Sequence, residues 1–394
     1  MNVSMSAWIT RLLDVALEPA AAVAVLHEGI AGEPDPHVGV VALYGQLRPL
    51  LLGWIASGRQ AHAERLADAL ATAAGERADI APMLTVLRAH TQLWIAEAAL
   101  KTGDHQRVVY HCEAALAVYT TSAFKVVDVE QGFAGLHLAR MKAESGALDE
   151  ADLLMTAALG HLREGAGPSG WRVLPSVLPQ LIELRQRRGA VREALVLLRV
   201  SLEHAGSIAD KDTKIALQLA SLIAGSAIAL AERDPLGEVG LAAAALATAA
   251  IEACRGASAV TRVSLGNNLG NHQMTIGKDA DAFDTLQRAL VIVVDQWPEA
   301  GDAGVVAVGN AMLALNNCGR LAQLPAFVAP VLSRCQQSAA AEAALAAKLL
   351  AKIEQVATRL LTAMREANAP PNSYMPLEHV LAAVRSQSTA LSSP

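Results

Sequence analysis

The chain has 394 residues and a net charge of −6, and 53% of its residues are hydrophobic while 3% are aromatic. This apolar fraction excludes intrinsic disorder, and the slight acidity argues against a nucleic-acid-binding protein, which needs a basic surface. Abundant alanine and leucine with few aromatic residues favour helices over sheets, so we expect an all-α protein.

Residues 1–39 are expected to form N-terminal capping helices. The first residues lack a basic stretch followed by a continuous apolar run, so we predict no signal peptide. Two long uncharged runs, at 215–231 and 303–319, contain asparagine, glutamine or serine, and we expect them to be helices buried in protein rather than membrane spans. The four cysteines form no C-x-x-C pair, which favours reduced thiols and a cytoplasmic location. They are Cys112, Cys254, Cys318 and Cys335.

An internal repeat occupies residues 40–338. Six segments share one pattern around a glycine, and successive glycines are about 43 residues apart, with one gap of about twice that length. The long gap places a further turn near 234–237. The glycines are Gly58, Gly103, Gly146, Gly189, Gly277 and Gly319. This region is therefore predicted to be an array of about seven helix–turn–helix units.

Other positions keep a fixed distance from each turn glycine. Glycine can adopt the positive φ that ends a helix. A mostly small residue five positions later allows the second helix to approach the first closely. These residues are Ala63, Val108, Ala151, Ala194, Ala282 and Leu324. The pattern indicates helix pairs that bury their apolar faces on each other and on the next pair.

The segment at 268–290, which reads NLGNHQMTIGKDADAFDTLQRAL, resembles the tetratricopeptide-repeat (TPR) family. The long period is similar to the extended repeats of kinesin light chains, bacterial Rap-type regulators and the sensor region of MalT-like regulators. The resemblance covers roughly residues 40 to 337. It implies a right-handed superhelical solenoid whose concave surface, lined by the first helix of each unit, binds peptides.

The resemblance also implies which side chains contact a partner, because fixed first-helix positions do so in the family. Carried over to this chain, these positions fall on three groups of repeats. The candidate partner-binding residues are Trp94, Glu97, Lys101, His137, Arg140, Gln180, Glu183, Arg187, Asn267, Asn271, Met274, Asn310, Asn316 and Asn317. The central group is of mixed charge, which fits either a ligand of mixed charge or mutual pairing of its own residues.

The asparagines near the last two turns are the most informative of these candidates. Asparagine is less favourable than alanine in a helix interior, so several in neighbouring helices need a reason. Each amide offers both donors and an acceptor, so a row of them could hold an extended peptide backbone. Alternatively, Asn268 and Asn310, which occupy the same column, could brace neighbouring helices. The sequence leaves both interpretations open.

The C-terminal region, 339–385, is predicted to contain a long helix and a short one, at 376–385. Apolar residues recur every three or four positions from 343 to 364. This stripe fits a helix that caps the last repeat, or a coiled coil that forms a homodimer. Pro370 and Pro371 should end the long helix, and residues 386–394 are expected to be a disordered tail.

The sequence contains no recognisable catalytic motif. We expect no enzyme activity, cofactor, bound metal, nucleic acid or membrane partner. The favoured function is a scaffold or adaptor that binds a protein or peptide. The alternatives are a ligand- or peptide-sensing module of a bacterial regulatory system and, less favoured, an enzyme with a site hidden in a helical scaffold.

Overall fold

The computed structural model describes residues 51–122, 128–164 and 172–392, together with single residues 24, 25, 28, 40, 47 and 49. All regular secondary structure in these residues is helical. The chain divides into two compact units, Met1–Ala190 and Val191–Pro394. The N-terminal cap predicted at 1–39 lies almost wholly outside the described residues.

The N-terminal unit contains a helical stretch at 51–56 followed by helices α1 to α6. Within this unit, each helix from α1 to α5 packs against the one that follows it, so the unit is a stack of antiparallel helices. The helices are α1 (Gln60–Glu76), α2 (Ala81–Thr102), α3 (His105–Tyr119), α4 (Asp128–Glu144), α5 (Leu148–Glu164) and α6 (Leu174–Arg187).

The C-terminal unit contains α7 to α15 and two short 3-10 turns. Its helices form two layers, because α8, α10, α12 and α14 pack side by side while their partners α9, α11, α13 and α15 occupy the other layer. The helices are α7 (Val191–Ile208), α8 (Thr213–Arg233), α9 (Glu238–Ala253), α10 (Ala259–Thr275), α11 (Asp279–Asp295), α12 (Gly301–Asn317), α13 (Leu324–Gln336), α14 (Ala343–Glu366) and α15 (Pro371–Ser392).

The predicted turn glycines are confirmed. All six have a positive φ, between 69° and 86°, and each follows the end of a first helix. The turn inferred from the long gap is also present, since α8 ends at Arg233 and α9 begins at Glu238. The small residues five positions after each glycine are all 0% exposed, as close helix packing requires. The chain is therefore an all-α helical-repeat protein.

Side-chain bonds between repeats have a separation close to the repeat period. Arg107 donates to Glu64, 43 residues away, and Arg187 donates to the carbonyl of Ala143, 44 residues away. Such bonds join a helix to its equivalent or neighbour in the adjacent repeat. This nearest-neighbour pattern is what a stacked repeat array predicts.

Helix α8 contains the uncharged run predicted at 215–231. Among the described helices it is the one long and apolar enough to cross a membrane, with a mean hydropathy of 1.7, judged by length and composition alone. Here it packs against α7, α9 and α10, and 56% of its most apolar window is buried. A core helix of a repeat array has the same composition, so the run is weak evidence for a membrane span.

The apolar stripe of α14 is buried within the chain itself. Leu350, Ile353 and Ala357 are at most 1% exposed and join the core cluster formed with α12, α13 and α15. This packing is that of a helix covering the last repeat, and it leaves the stripe covered rather than open for a coiled coil.

Two expectations for the C-terminus need correction. The short helix predicted at 376–385 begins earlier, at Pro371, and continues through the predicted tail to Ser392. Pro371 is the first residue of α15, where a backbone N–H would have no acceptor within the helix. Pro376 lies inside the helix, where its missing N–H removes one intrahelical bond. Leu377 and Val384 are buried against the preceding helices, and this burial holds the helix together.

Candidate functional site

The candidate partner-binding residues fall on the first helices, those that precede the turn glycines. In the C-terminal unit these are α10 and α12, which pack side by side. Helix α10 also packs closely on α11, because glycines of α10 lie at that contact. A Cβ atom on Gly270 would lie 2.5 Å from Cγ of Leu286 in α11, so no larger residue fits there without movement.

Three of the predicted asparagines brace the fold. Asn310 of α12 donates from Nδ2 to Oδ1 of Asn267 in α10 at 2.9 Å. Asn317 donates to Oδ1 of Asp279, the first residue of α11, at 3.0 Å. The bracing interpretation therefore applies to these three residues, although the partner of Asn310 is Asn267 rather than Asn268.

The remaining asparagines have free amides. Asn268 and Asn271 of α10 are exposed and Asn316 of α12 is half-buried, and none of these side chains forms a hydrogen bond with a described residue. Met274 is half-buried and packs on the core cluster. We call Asn268, Asn271 and Asn316 the free asparagines. They offer unused donors and acceptors beside a fixed helix pair.

The N-terminal unit positions its candidates differently. Trp94 is 4% exposed and stacks on His90, with ring centroids 6.1 Å apart. It is a core residue and does not line a surface, which corrects its assignment as a partner contact. Glu97 is half-buried and Lys101 is exposed.

The central group of mixed charge is bound largely to uncharged partners. Arg140 donates from Nε to Oε1 of Gln180 at 2.7 Å, and Arg187 donates to the carbonyl oxygen of Ala143 at 3.2 Å. Glu183 is exposed and pairs with no described residue. The two arginines are thus held between adjacent repeats rather than by the glutamates of the same group.

His137 lies among these residues on α4 and is half-buried. Its Nδ1 is buried and has no hydrogen-bond partner among the described residues. Burial lowers the pKa of His137 to about 4, and the charge of Arg140 acts in the same direction. The ring is therefore neutral at pH 7.

A partly buried polar network between α1, α2 and α3 was not predicted from the sequence. Glu64 accepts from Nε and Nη2 of Arg107, at 3.0 and 2.6 Å, and lies 3.5 Å from Nε2 of His111. The other ring nitrogen of His111 contacts Oε1 of Gln92. The one sequence signal was the separation of 43 residues between Arg107 and Glu64, which equals the repeat period.

A histidine beside a carboxylate can act as a general base, but this one is not accessible. His111 is 2% exposed, and burial lowers its pKa despite the nearby Glu64. Burial also raises the pKa of the adjacent Cys112 thiol to about 12, so it is not a reactive thiolate. The network has the character of a structural brace between repeats.

The fold and these surfaces define the chain as a helical-repeat protein with polar first-helix surfaces. No protein-family model matches the chain, and no curated protein matches it significantly. One solved structure that it resembles is described as a circular tandem repeat protein with novel repeat topology and enhanced subunit contact surfaces. The two share 12% identity over 98% of this chain and 95% of that chain, with a TM-score of 0.26. Our fold assignment rests on the helices, turns and packing described above.

Proposed function

We propose that the chain is a non-enzymatic interaction scaffold of the TPR type that binds an extended segment of a protein partner across α10 and α12. The observation that carries this proposal is the set of free asparagines on two adjacent first helices. A helical-repeat fold is consistent with such a role, since its stacked units present an extended binding surface.

The free asparagines have the chemistry that a peptide backbone needs. Each amide can donate and accept, so it can pair with a backbone carbonyl and N–H in the same partner, irrespective of the partner's side chains. Asn268 and Asn271 are three residues apart on one helix and so share a face, about 4.5 Å apart along the axis. The Asn310–Asn267 bond fixes the two helices, so less ordering is required on binding.

The free asparagines also lack a structural role that would explain them. Asparagine in a helix interior is less stable than alanine by about 0.5 kcal/mol, and an unpaired one gains nothing from a hydrogen bond in return. Two or three such residues on neighbouring helices therefore favour a binding role over bracing.

We place the protein in the cytoplasm, a location supported by its four free cysteines, of which Cys112, Cys254 and Cys335 are buried.

The test uses a displayed library of random unstructured peptides, selected on the purified chain. Binding of enriched peptides is then measured by fluorescence polarisation for the wild type and for the N271A/N316A double variant. We expect the double variant to weaken binding at least tenfold while its melting temperature stays the same or rises slightly. The rise follows from the better helix propensity of alanine.

A matched control replaces two exposed amides elsewhere, in the N372A/Q336A variant, whose peptide affinity should stay within twofold of the wild type. If no peptide is enriched, or if both double variants bind selected peptides equally well, the proposed site is wrong. If N271A/N316A alone loses binding, a pull-down from the native host with the wild type and both double variants would identify the partner.

A further inference from the structure

A crevice of about 340 Å³ opens between α9 and α11 in the C-terminal unit, with α10 at its base. It involves none of the free asparagines. Apolar side chains of three helices form much of its lining, among them Ile251, Leu269 and Ile292. The volume lies at the small end of the range for ligand pockets, which is roughly 300–1,000 Å³.

Three arginines line this crevice, and two of them bond to a single carboxylate, that of Glu252. Arg255 donates from Nε and Nη2 to Oε2 of Glu252, the first of these bonds at 2.9 Å. Arg288 donates from Nη1 to Oε1 of the same carboxylate at 3.3 Å. Arg262 forms no hydrogen bond or ion pair with any described residue, although it too lines the crevice.

The charges around the crevice are not balanced. The guanidinium of Arg255, more than any other group, holds the pKa of Glu252 below its ordinary value, so the carboxylate is ionised at neutral pH. Three positive charges therefore face one negative charge. Arg255 and Arg288 are 80% and 58% exposed, so water screens their charges. Arg262 is half-buried, and the charge nearest to balancing it is Glu252, whose oxygens are already bonded to the other two arginines. A half-buried guanidinium without a partner is unfavourable unless an anion pairs with it.

The lining of the crevice contains a further unused polar group. Thr285 is 6% exposed, lines the crevice, and makes no side-chain hydrogen bond with a described residue. A threonine hydroxyl in a helix often bonds a backbone carbonyl of its own helix, which this one does not. A hydroxyl and a guanidinium that form no hydrogen bond with a described residue thus line the same crevice, and both can bind one ligand.

We propose that this crevice binds a small amphipathic anion, with a carboxylate or phosphate head paired with Arg262 and an apolar body against Ile251, Leu269 and Ile292. Arg255 and Arg288 each keep an unused terminal amino group, Nη1 and Nη2 respectively, for the same head. Guanidinium groups bind both kinds of head through paired N–H donors. This proposal is independent of peptide binding at the free asparagines.

Isothermal titration calorimetry tests the proposal with hexanoate, phenyl phosphate, inorganic phosphate and the neutral alcohol hexanol. We expect hexanoate or phenyl phosphate to bind at least tenfold tighter than hexanol and than inorganic phosphate. Binding should weaken as salt is added, because the attraction is electrostatic and partly exposed.

Three variants separate a binding site from a general effect of charge. R262A should weaken binding at least tenfold, whereas E252Q should tighten it severalfold, because it removes the competing carboxylate and frees donors on Arg255 and Arg288. Loss of folding cannot imitate a gain in affinity. R359A removes one exposed arginine from α14 and should leave binding within twofold.

The proposal is overturned if neither organic anion binds at millimolar concentration, or if hexanol binds as tightly as they do. It is also overturned if R262A and R359A have the same effect, or if E252Q weakens binding. If inorganic phosphate binds as tightly as phenyl phosphate, the apolar walls do not take part and the proposed ligand class is wrong.

Discussion

Asn310 donates its Nδ2–H to Oδ1 of Asn267 across 2.9 Å, and the two residues are 43 positions apart, one repeat period. The bond joins two adjacent first helices, at positions that differ by one residue when they are counted from the turn glycines. Its geometry separates the two open interpretations of the asparagines, since these two residues brace the array while Asn271 and Asn316 beside them remain available to a partner.

The bracing role predicts coupling between the two residues. A hydrogen bond of this kind contributes about 1 kcal/mol, and alanine returns about 0.5 kcal/mol of helix propensity. A double-mutant cycle cancels the propensity gain, so we expect a coupling of about 1 kcal/mol between N267A and N310A in urea unfolding. N271A, whose amide is unpaired, should cause no loss of stability. Additive effects of N267A and N310A would show that the bond contributes nothing.

Replacing glycine by alanine should change the free energy of unfolding in opposite directions at a turn and inside a helix. Gly103 has a φ of 74° and Gly160 lies inside α5, and a Cβ atom on either would meet nothing within 4 Å. Any difference between their substitutions therefore reports backbone conformation. G103A should destabilise by about 1–2 kcal/mol, because an L-residue is strained at positive φ. G160A should stabilise by about 0.5–1 kcal/mol.

Thermal unfolding followed by circular dichroism measures both variants under the same conditions. If G103A were as stable as the wild type, the repeat turns would not depend on the left-handed conformation. A loss of stability in G160A would instead indicate that α5 contacts something at that position.

The repeats could be predicted from the sequence because their requirements are local. A turn that needs a positive φ selects glycine, and a close helix contact five residues later selects a small side chain, as at Gly103 and Val108. Both signals recur at the repeat period and reinforce each other. The fold class followed from these few positions even though no single repeat was a strong match.

The side-chain partners could not be predicted to the same degree, because they depend on helix rotation. One residue corresponds to about 100° around a helix. The sequence placed Asn268 opposite Asn310, but the bonded residue is its neighbour Asn267, and Trp94 faces the core instead of a surface. Turn glycines mark each repeat to within about one residue, and that uncertainty decides which side chain faces outward.

The crevice between α9 and α11 could not be predicted from the sequence. Its arginines come from a loop and two helices, namely Arg255, Arg262 and Arg288, and they occupy different places in their repeats. No motif or column links them, so the three-dimensional packing of α9, α10 and α11 is what brings them together.

The burial of the apolar stripe of α14 predicts how a substitution there changes the stability of the protein. Ile353 is 0% exposed in the core cluster, so I353A should lower the free energy of unfolding by about 2–5 kcal/mol. T358A changes an exposed residue of the same helix and should have little effect. Because the stripe is covered within the chain, the melting temperature should not depend on protein concentration. A melting temperature that rises with concentration would favour a dimer built on this helix.

His137 predicts a specific loss of stability in mild acid. Its pKa is about 4 in the folded chain against an ordinary value of 6.5, so between these values the unfolded chain takes up a proton that the folded chain does not. Its contribution is complete above pH 6.5 and is lost as the pH falls towards 4, by at most about 3 kcal/mol, since one pKa unit corresponds to about 1.4 kcal/mol. His111 and His272, whose pKa values burial also lowers, act in the same direction.

The H137Q variant isolates this contribution, because glutamine is polar but does not titrate. Urea unfolding at pH 7, 6, 5 and 4.5 should show a smaller loss of stability for H137Q than for the wild type. The H161Q variant serves as control, since it replaces a histidine of α5 that lies 3.7 Å from Asp128 and is 34% exposed. If the free energy of unfolding falls equally with pH in the wild type and in H137Q, His137 takes up a proton in the folded chain as readily as in the unfolded chain. The lowered pKa of His137 would then be wrong.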